Sequence, residues 1–451
     1  MRRVSFHLLL LVIFLLPAGQ VLAGPRPDVK NDQVVFSFPE TATFTATLSS
    51  TSEITSVILE YGNEQQTCGE VIAKAFPLFA PASSVDVEWT WDMRQSGSLP
   101  PGASIWWRWR YTDASGAEFV SDKRTATWLD DIHNWQTVSG SGLRLHYYGK
   151  DAAFAQAMLE AGIEGLRRNR EQTGLLADGV VDIYIYPNYT DMQDAVLYEP
   201  SWTGGQAYSD FNIVIMGLSD FDEEWNRKTV IHELTHVLVG AFTFSCIGTL
   251  PGWIEEGLAM FSEGGLDPGM QSMLDQSIRT DSLISLRSLN GGFSELPDKA
   301  NLSYAQSYSV INFLIDTHGQ EEMMNLLIAL RDAKPIDEAL IEVYGFDTDG
   351  LEDAWRKSIG AAPRPVSAQA TLQPTPTWVP TFVPVSGAPL AVTPTPFEIP
   401  TSSSAGGRNG PPLSLTISLA CFCTVLLLIV GVFVLGVIVR REGVNSGGDH
   451  V

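Results

Sequence analysis

Residues 231–238 read IHELTHVL, and residues 251–264 read PGWIEEGLAMFSEG. Asp222, Glu223 and Glu224 precede the first stretch, where the positive end of a helix dipole favours acids, so 222–242 is expected to be one helix. On it His232 and His236 are four residues apart and lie one turn above each other on the same face. Two imidazoles so placed can share a metal ion, and Glu233, beside the first, can reach a water there as general base. Two ligands are too few: a structural zinc closes with four protein ligands, and a catalytic zinc takes three and keeps a place for water. Pro251 and Gly252 break the chain, and a helix beginning at Trp253 brings a carboxylate back at Glu256, 20 positions after His236.

These residues resemble the gluzincin metallopeptidases, specifically the family called peptidase-MA-like. The matching positions are His232-Glu233-Leu234-Thr235-His236 and Trp253-Ile254-Glu255-Glu256-Gly257-Leu258-Ala259. The resemblance spans about residues 140–360, including YAQSYSVINFLIDTHG (304–319) and the helical 335–360. It implies one Zn²⁺ held by His232, His236 and Glu256, with Glu233 as general base, and it places the third ligand at Glu256 rather than Glu255. Glu263, seven residues on and on the same helix face, matches an acid common in these relatives and is expected to support a ligand from behind. A tyrosine or histidine on a later gluzincin helix stabilises the tetrahedral oxyanion. Tyr304 is the expected donor here, with Tyr308 the alternative.

The resemblance bears on GGQAYSDFNIVIMG (204–217) as well. Its second half reads as a strand, either an edge on which extended substrate backbone pairs or an ordinary internal strand. Gluzincin aminopeptidases carry G-x-M-x-N where this chain has Gly204-Gly205-Gln206-Ala207-Tyr208. Aminopeptidase specificity is therefore unsupported; endopeptidase cleavage or a narrow substrate stays open, and endo- versus exopeptidase action is not decided.

Upstream, from about residue 33 to 130, apolar residues alternate. In SSVDVEWTWD (83–92), Val85, Val87, Trp89 and Trp91 share one face; in ASIWWRWRYTD (103–113), Ile105, Trp107, Trp109 and Tyr111 do, opposite Trp106, Arg108 and Arg110. Period two predicts half-buried strands, and the whole predicts an all-β, immunoglobulin- or fibronectin-like sandwich at 24–131. The tryptophans are expected in its core rather than on a carbohydrate-binding platform. After it, LRLHYYG (143–149) and VVDIYIYPN (180–188) read as strands around a helix at 151–174, capped by Asp151 and stopped by Gly174. This opens an α+β peptidase domain at 132–362.

Both ends read differently. Arg2 and Arg3 lead an apolar run ending at Val21-Leu22-Ala23, so 1–23 is expected to be a signal peptide. Residues 414–439 carry no charge; as a helix they extend about 39 Å, enough for a ~30 Å hydrocarbon core, so 413–439 is expected to span a membrane. Arg440 and Arg441 place the 440–451 tail in the cytoplasm. The Pro/Thr/Ser-rich stretch 363–412 reads as a disordered linker. The expected location is the cell membrane, single-pass, with extracellular N-terminal domains.

In that compartment Cys68 and Cys246 either pair or stay free. Asn188 and Asn301 begin N-x-[ST] sequons. A formal charge of −24, from 52 acids against 28 bases, argues against nucleic acid as a partner. The expected partners are a peptide or protein substrate and, through the C-terminal helix, the membrane; oligomeric state is not encoded. The rival reading is a surface binding or scaffolding protein with a structural or vestigial zinc, and an intact Glu233 counts against it.

Overall fold

The computed structural model describes residues 27–364 apart from 97–98, 198–203, 220–221 and 295. The signal peptide, linker, membrane span and tail expected from the sequence lie outside the described residues. Among those described, no helix is long and apolar enough to cross a membrane.

The N-terminal part is β-rich. Strands β1 (Asp28–Ser37), β2 (Thr41–Asn63), β3 (Ala73–Ala75), β4 (Ala82–Asp92), β5 (Ser104–Asp113), β6 (Glu118–Val120) and β7 (Arg124–Thr127) form one seven-stranded sheet, with a one-turn helix α1 (Met93–Ser96) after β4. Strand β2 runs for 23 residues. Its first half pairs with β1 and β4 and its second half with β3 and β5, with the register shifting around Ile54. Ala42, Phe44, Ala46 and Leu48 are buried before the shift, and Val57 and Leu59 after it. That change of parity is what a bulge imposes on a strand of period two. Both halves thereby face one core with Val85, Val87, Trp107, Trp109 and Tyr111. The region expected to be an immunoglobulin- or fibronectin-like sandwich is β-rich, and its strands are joined into one sheet through β2.

The tryptophans are covered. Trp107 and Trp109 donate from Nε1 to Asp32 Oδ1 at 2.7 and 3.0 Å. Trp106, on the opposite face, lies against Gly62 and under Lys123 Nζ, 4.4 Å from its ring centre.

A second sheet has the order β11-β12-β10-β9-β8, from β8 (Gln136–Gly140), β9 (Leu143–Tyr147), β10 (Val181–Tyr186), β11 (Gly205–Tyr208) and β12 (Ile213–Gly217). The middle strands β9, β10 and β12 are parallel, and β8 and β11 are antiparallel edges. Every residue of β12 is buried, as a parallel strand covered on both faces requires. One face, with Leu143, Leu145, Ile183, Ile185, Val214 and Met216, belongs to the helical core. The other, with Tyr184, Tyr186, Ile213 and Ile215, belongs to the core of the β-rich part. The chain near residue 131 thus separates two sets of elements without separating their cores.

The helices are α2 (Ala152–Gln172), α3 (Tyr189–Asp194), α4 (Glu223–Thr243), α5 (Gly252–Glu263), α6 (Pro268–Thr280), α7 (Pro297–His318), α8 (Gln320–Arg331), α9 (Ile336–Tyr344) and α10 (Thr348–Ser358). Helix α4 packs on α2 and α5, and α5 packs on α7. Cys68 and Cys246 form a disulfide, tying the loop after β2 to the loop after α4.

Candidate metal centre

Helix α4 starts at the acids expected in its first turn, and Asp222 caps it: the Asp222 side chain accepts from Trp225 N–H at 2.9 Å. Ile231, Leu234, Val237 and Leu238 are buried, which leaves the face with His232, Glu233 and His236 for the site. Helix α5 is set by two fixed points. Trp253 is fully buried and donates from Nε1 to Asn290 Oδ1 at 3.1 Å. Gly257 allows close approach: a Cβ there would come within 2.6 Å of the Ser307 carbonyl oxygen on α7. Between Trp253 and Gly257, Glu256 is carried to the histidines.

Three donor atoms converge. His232 Nε2 and His236 Nε2 are 3.1 Å apart, and Glu256 Oε2 lies 3.4 Å from the first and 3.2 Å from the second. Tetrahedral zinc with ligands at ~2.0–2.1 Å needs donor separations of about 3.3 Å. Glu263 Oε2 sits 3.0 Å from His232 Nδ1. That bond puts the proton on Nδ1, so the Nε2 lone pair faces inward. Glu256 Oε2 is buried without a hydrogen-bond partner. Inward lone pairs and a carboxylate oxygen at these separations fit a divalent cation, and His232, His236 and Glu256 are the residues that could hold it.

Electrostatics follow the same convergence. Burial works against protonation of His232, but Glu256 and Glu263 outweigh it and push the imidazole up to about 9. His236 is likewise raised, against burial, by Glu256 and Glu255. Burial raises the Glu256 carboxyl, yet His236 and His232 hold it far below the usual carboxylate range. Glu233 is raised, with burial the leading cause and the histidines opposing it.

The site opens into a cavity of about 580 Å³ whose lining includes Gly205, Trp225, His232, Glu233, Asn301 and Tyr304. The Tyr304 ring lies 6.3 Å from that of His232, and burial raises its hydroxyl pKa. Tyr308, the alternative donor, packs instead against Phe261 and Gly265. Asn301 stands on the cavity wall, and Asn188 caps α3 by accepting from Asp191 N–H at 3.0 Å.

Two features escaped the sequence reading. The second half of 204–217 is β12, an internal strand; the edge is β11, its first half. A left-handed turn at Asn212 (φ 54°) folds one back on the other. Glu255, passed over in favour of Glu256, has its Oε1 3.6 Å from His236 Nδ1. Adjacent helical residues diverge by about 100°, so spacing gave no signal that both would face the histidines.

Two helical histidines and a glutamate from the next helix, opening on a cavity beside a further glutamate, form the arrangement that the gluzincin resemblance implies. Residues 161–361, somewhat under half of the chain, match the family described as the peptidase MA superfamily. A comparison with curated proteins found no match. Among solved structures, the M1 zinc metallopeptidase of Deinococcus radiodurans is 11% identical, over 73% of this chain and 93% of that one, with a TM-score of 0.34. OgpA of Akkermansia muciniphila is 12% identical over 24% of this chain and 30% of its own, with a TM-score of 0.19. Such distant likenesses carry no weight for substrate or mechanism.

Proposed function

We propose that this protein is an exported, membrane-anchored peptidase that uses one zinc ion and Glu233 to hydrolyse peptide bonds of extracellular substrates. The supporting observation is the triangle of His232 Nε2, His236 Nε2 and Glu256 Oε2, with Glu233 on the wall of the same cavity. A structural zinc would be closed by a fourth protein ligand. Among the described residues the cluster has three, which weighs against a scaffold with a structural ion. Export and anchoring rest on residues 1–23 and 413–439 of the sequence.

His232, His236 and Glu256 would hold the zinc ion, which would supply a Lewis acid for the attacking water and the scissile carbonyl. The remaining work belongs to the chain. Extended substrate pairs along β11, which ends the sheet and runs beside Glu233. Glu233 takes a proton from the attacking water and passes it to the leaving amine; a buried carboxylate of raised proton affinity suits that exchange. The Tyr304 hydroxyl, kept protonated by burial, donates to the carbonyl oxygen as negative charge develops there. Glu263 orients the His232 imidazole from its outer nitrogen, and Glu255 stands 3.6 Å from that of His236.

The test is Glu233→Gln in the full chain, assayed on a pool of quenched fluorescent peptides with metal analysis alongside. Turnover should fall by about 10²–10⁴-fold while one zinc per chain is retained. Undiminished cleavage by the zinc-loaded variant would refute the assignment.

A further inference from the structure

Behind the metal-binding face, three helices are joined by polar side chains within an otherwise apolar core. Asn169 of α2, Thr235 of α4 and Ser262 of α5 are all fully buried. Asn169 Nδ2 donates to Thr235 Oγ1 at 2.9 Å and to the Gly165 carbonyl at 3.0 Å, and its Oδ1 accepts from Ser262 Oγ at 3.2 Å. The Thr235 hydroxyl in turn donates to the Ile231 carbonyl at 2.8 Å. The neighbouring Arg168 donates from Nη1 to the carbonyls of Ser262 and Glu263 at 3.1 and 3.0 Å, gripping the last turn of α5.

The positions on the other two helices matter. Thr235 lies within HELTH, between Glu233 and His236, with its side chain turned to Asn169 of α2. Ser262 immediately precedes Glu263, the partner of His232 Nδ1. Helix α2 therefore holds α4 at the histidine pair and α5 at the turn carrying Glu263. Apolar packing alone tolerates sliding of one helix along another. An amide whose donors and acceptor are each committed to a different helix tolerates much less, because any slip leaves a buried polar group unpaired.

We propose that Asn169 is a positioning residue of the metal centre: through Thr235 and Ser262 it sets the register of α4 against α5, so that His232 and His236 meet Glu256. This deepens the proposed peptidase reading and rests on zinc binding at those three residues. It does not require the substrate to be known.

The experiment uses the full chain in detergent, as wild type, Asn169→Leu, Ser262→Ala and Thr348→Val. Thr348 is a fully buried residue of α10 whose hydroxyl donates to Asp337, and it is the control for general loss of stability. Zinc affinity is measured by competition with a chromophoric chelator, the coordination sphere by the visible absorption of the Co²⁺-loaded protein, and Tm by calorimetry. Asn169→Leu should weaken zinc binding 10–100-fold, the usual range for losing support behind a ligand, and alter the Co²⁺ spectrum. Ser262→Ala should do the same more weakly. Thr348→Val should lower Tm yet leave both metal readings at the wild-type value.

Wild-type zinc affinity and Co²⁺ spectrum in Asn169→Leu would overturn the proposal, as would an equal loss of affinity in Thr348→Val. If Asn169→Leu does not fold, Ser262→Ala decides by the same readings. Wild-type protein that binds zinc but cleaves no peptide would defeat the peptidase reading and leave the positioning claim to be judged on affinity.

Discussion

Gly205→Ala should disable the enzyme without emptying or unfolding it. A Cβ at position 205 would lie 2.8 Å from Glu233 Cγ and 3.0 Å from its Cδ and Oε1. Ordinary carbon contacts begin near ~3.5 Å, so the two must separate by roughly 0.5–1 Å. Strand β11 is paired to β12 from Gly205 to Tyr208, and the Glu233 side chain is the softer partner. Position 205 lacks the left-handed φ that would make alanine strained. Alanine within a strand also gains about 0.5–1 kcal/mol over glycine, which offsets part of the crowding, and net stability should change by less than about 1 kcal/mol. A carboxylate displaced by nearly 1 Å costs about 100-fold in rate, equivalent to about 2.7 kcal/mol of barrier. The assay compares kcat/KM on the peptide pool, zinc per chain and Tm for wild type, Gly205→Ala, Glu233→Gln and the double variant. The single glycine variant should keep its zinc and Tm and lose about two decades of kcat/KM. The double should be no worse than Glu233→Gln, since both act through one group. Wild-type kcat/KM in Gly205→Ala would refute the claim that this contact places Glu233.

Three further outcomes are expected. Gly257→Ala drives a methyl toward the Ile311 side chain and the Ser307 carbonyl, the second a backbone group that yields little; it should cost about 1–3 kcal/mol and weaken zinc binding by moving Glu256, and unchanged stability and affinity would show that α5 can shift freely. Joint replacement of Cys68 and Cys246 by serine releases a link spanning 178 residues, and denaturant melts should lose about 3–5 kcal/mol; a loss below about 1 kcal/mol would mean the linked loops are already held by other contacts. Arg167 and then Arg168 hold the Glu164 carboxyl down at about 2, against an ordinary 4.5. A depressed folded-state pKa stabilises above the unfolded value and fades as pH falls through the folded one, so Glu164→Gln should cost about 0.5–1 kcal/mol at pH 7 and nothing below pH 2. An equal cost at both would contradict that linkage.

The candidate site was largely legible because its signal is local. His232 and His236 need only one helix to share a face, and that helix carries its own start in Asp222. Glu256 was reached through a break at Pro251 and a resemblance, and α5 does bring its Oε2 to both imidazoles. Other features depended on chain reversals. Which half of 204–217 forms the sheet edge turns on the left-handed residue at Asn212, and alternation alone does not reveal the order of strands. The single sheet of the β-rich part depends on a register shift within β2, where a period-two pattern merely changes parity.

The sequence by itself determined the chemistry: which residues can bind a metal, which carboxylate stands beside it, and which segments are strand or helix. These are decided by side-chain type and by spacings within one helical turn or one strand. Only the tertiary structure decided the pairing of Cys68 with Cys246, the separation of Tyr304 from Tyr308, the approach of Glu255 to His236, and the buried junction of Asn169, Thr235 and Ser262. Each depends on groups distant in sequence meeting at hydrogen-bond or van der Waals range. Such meetings are set by how whole helices and sheets pack, which no local pattern records.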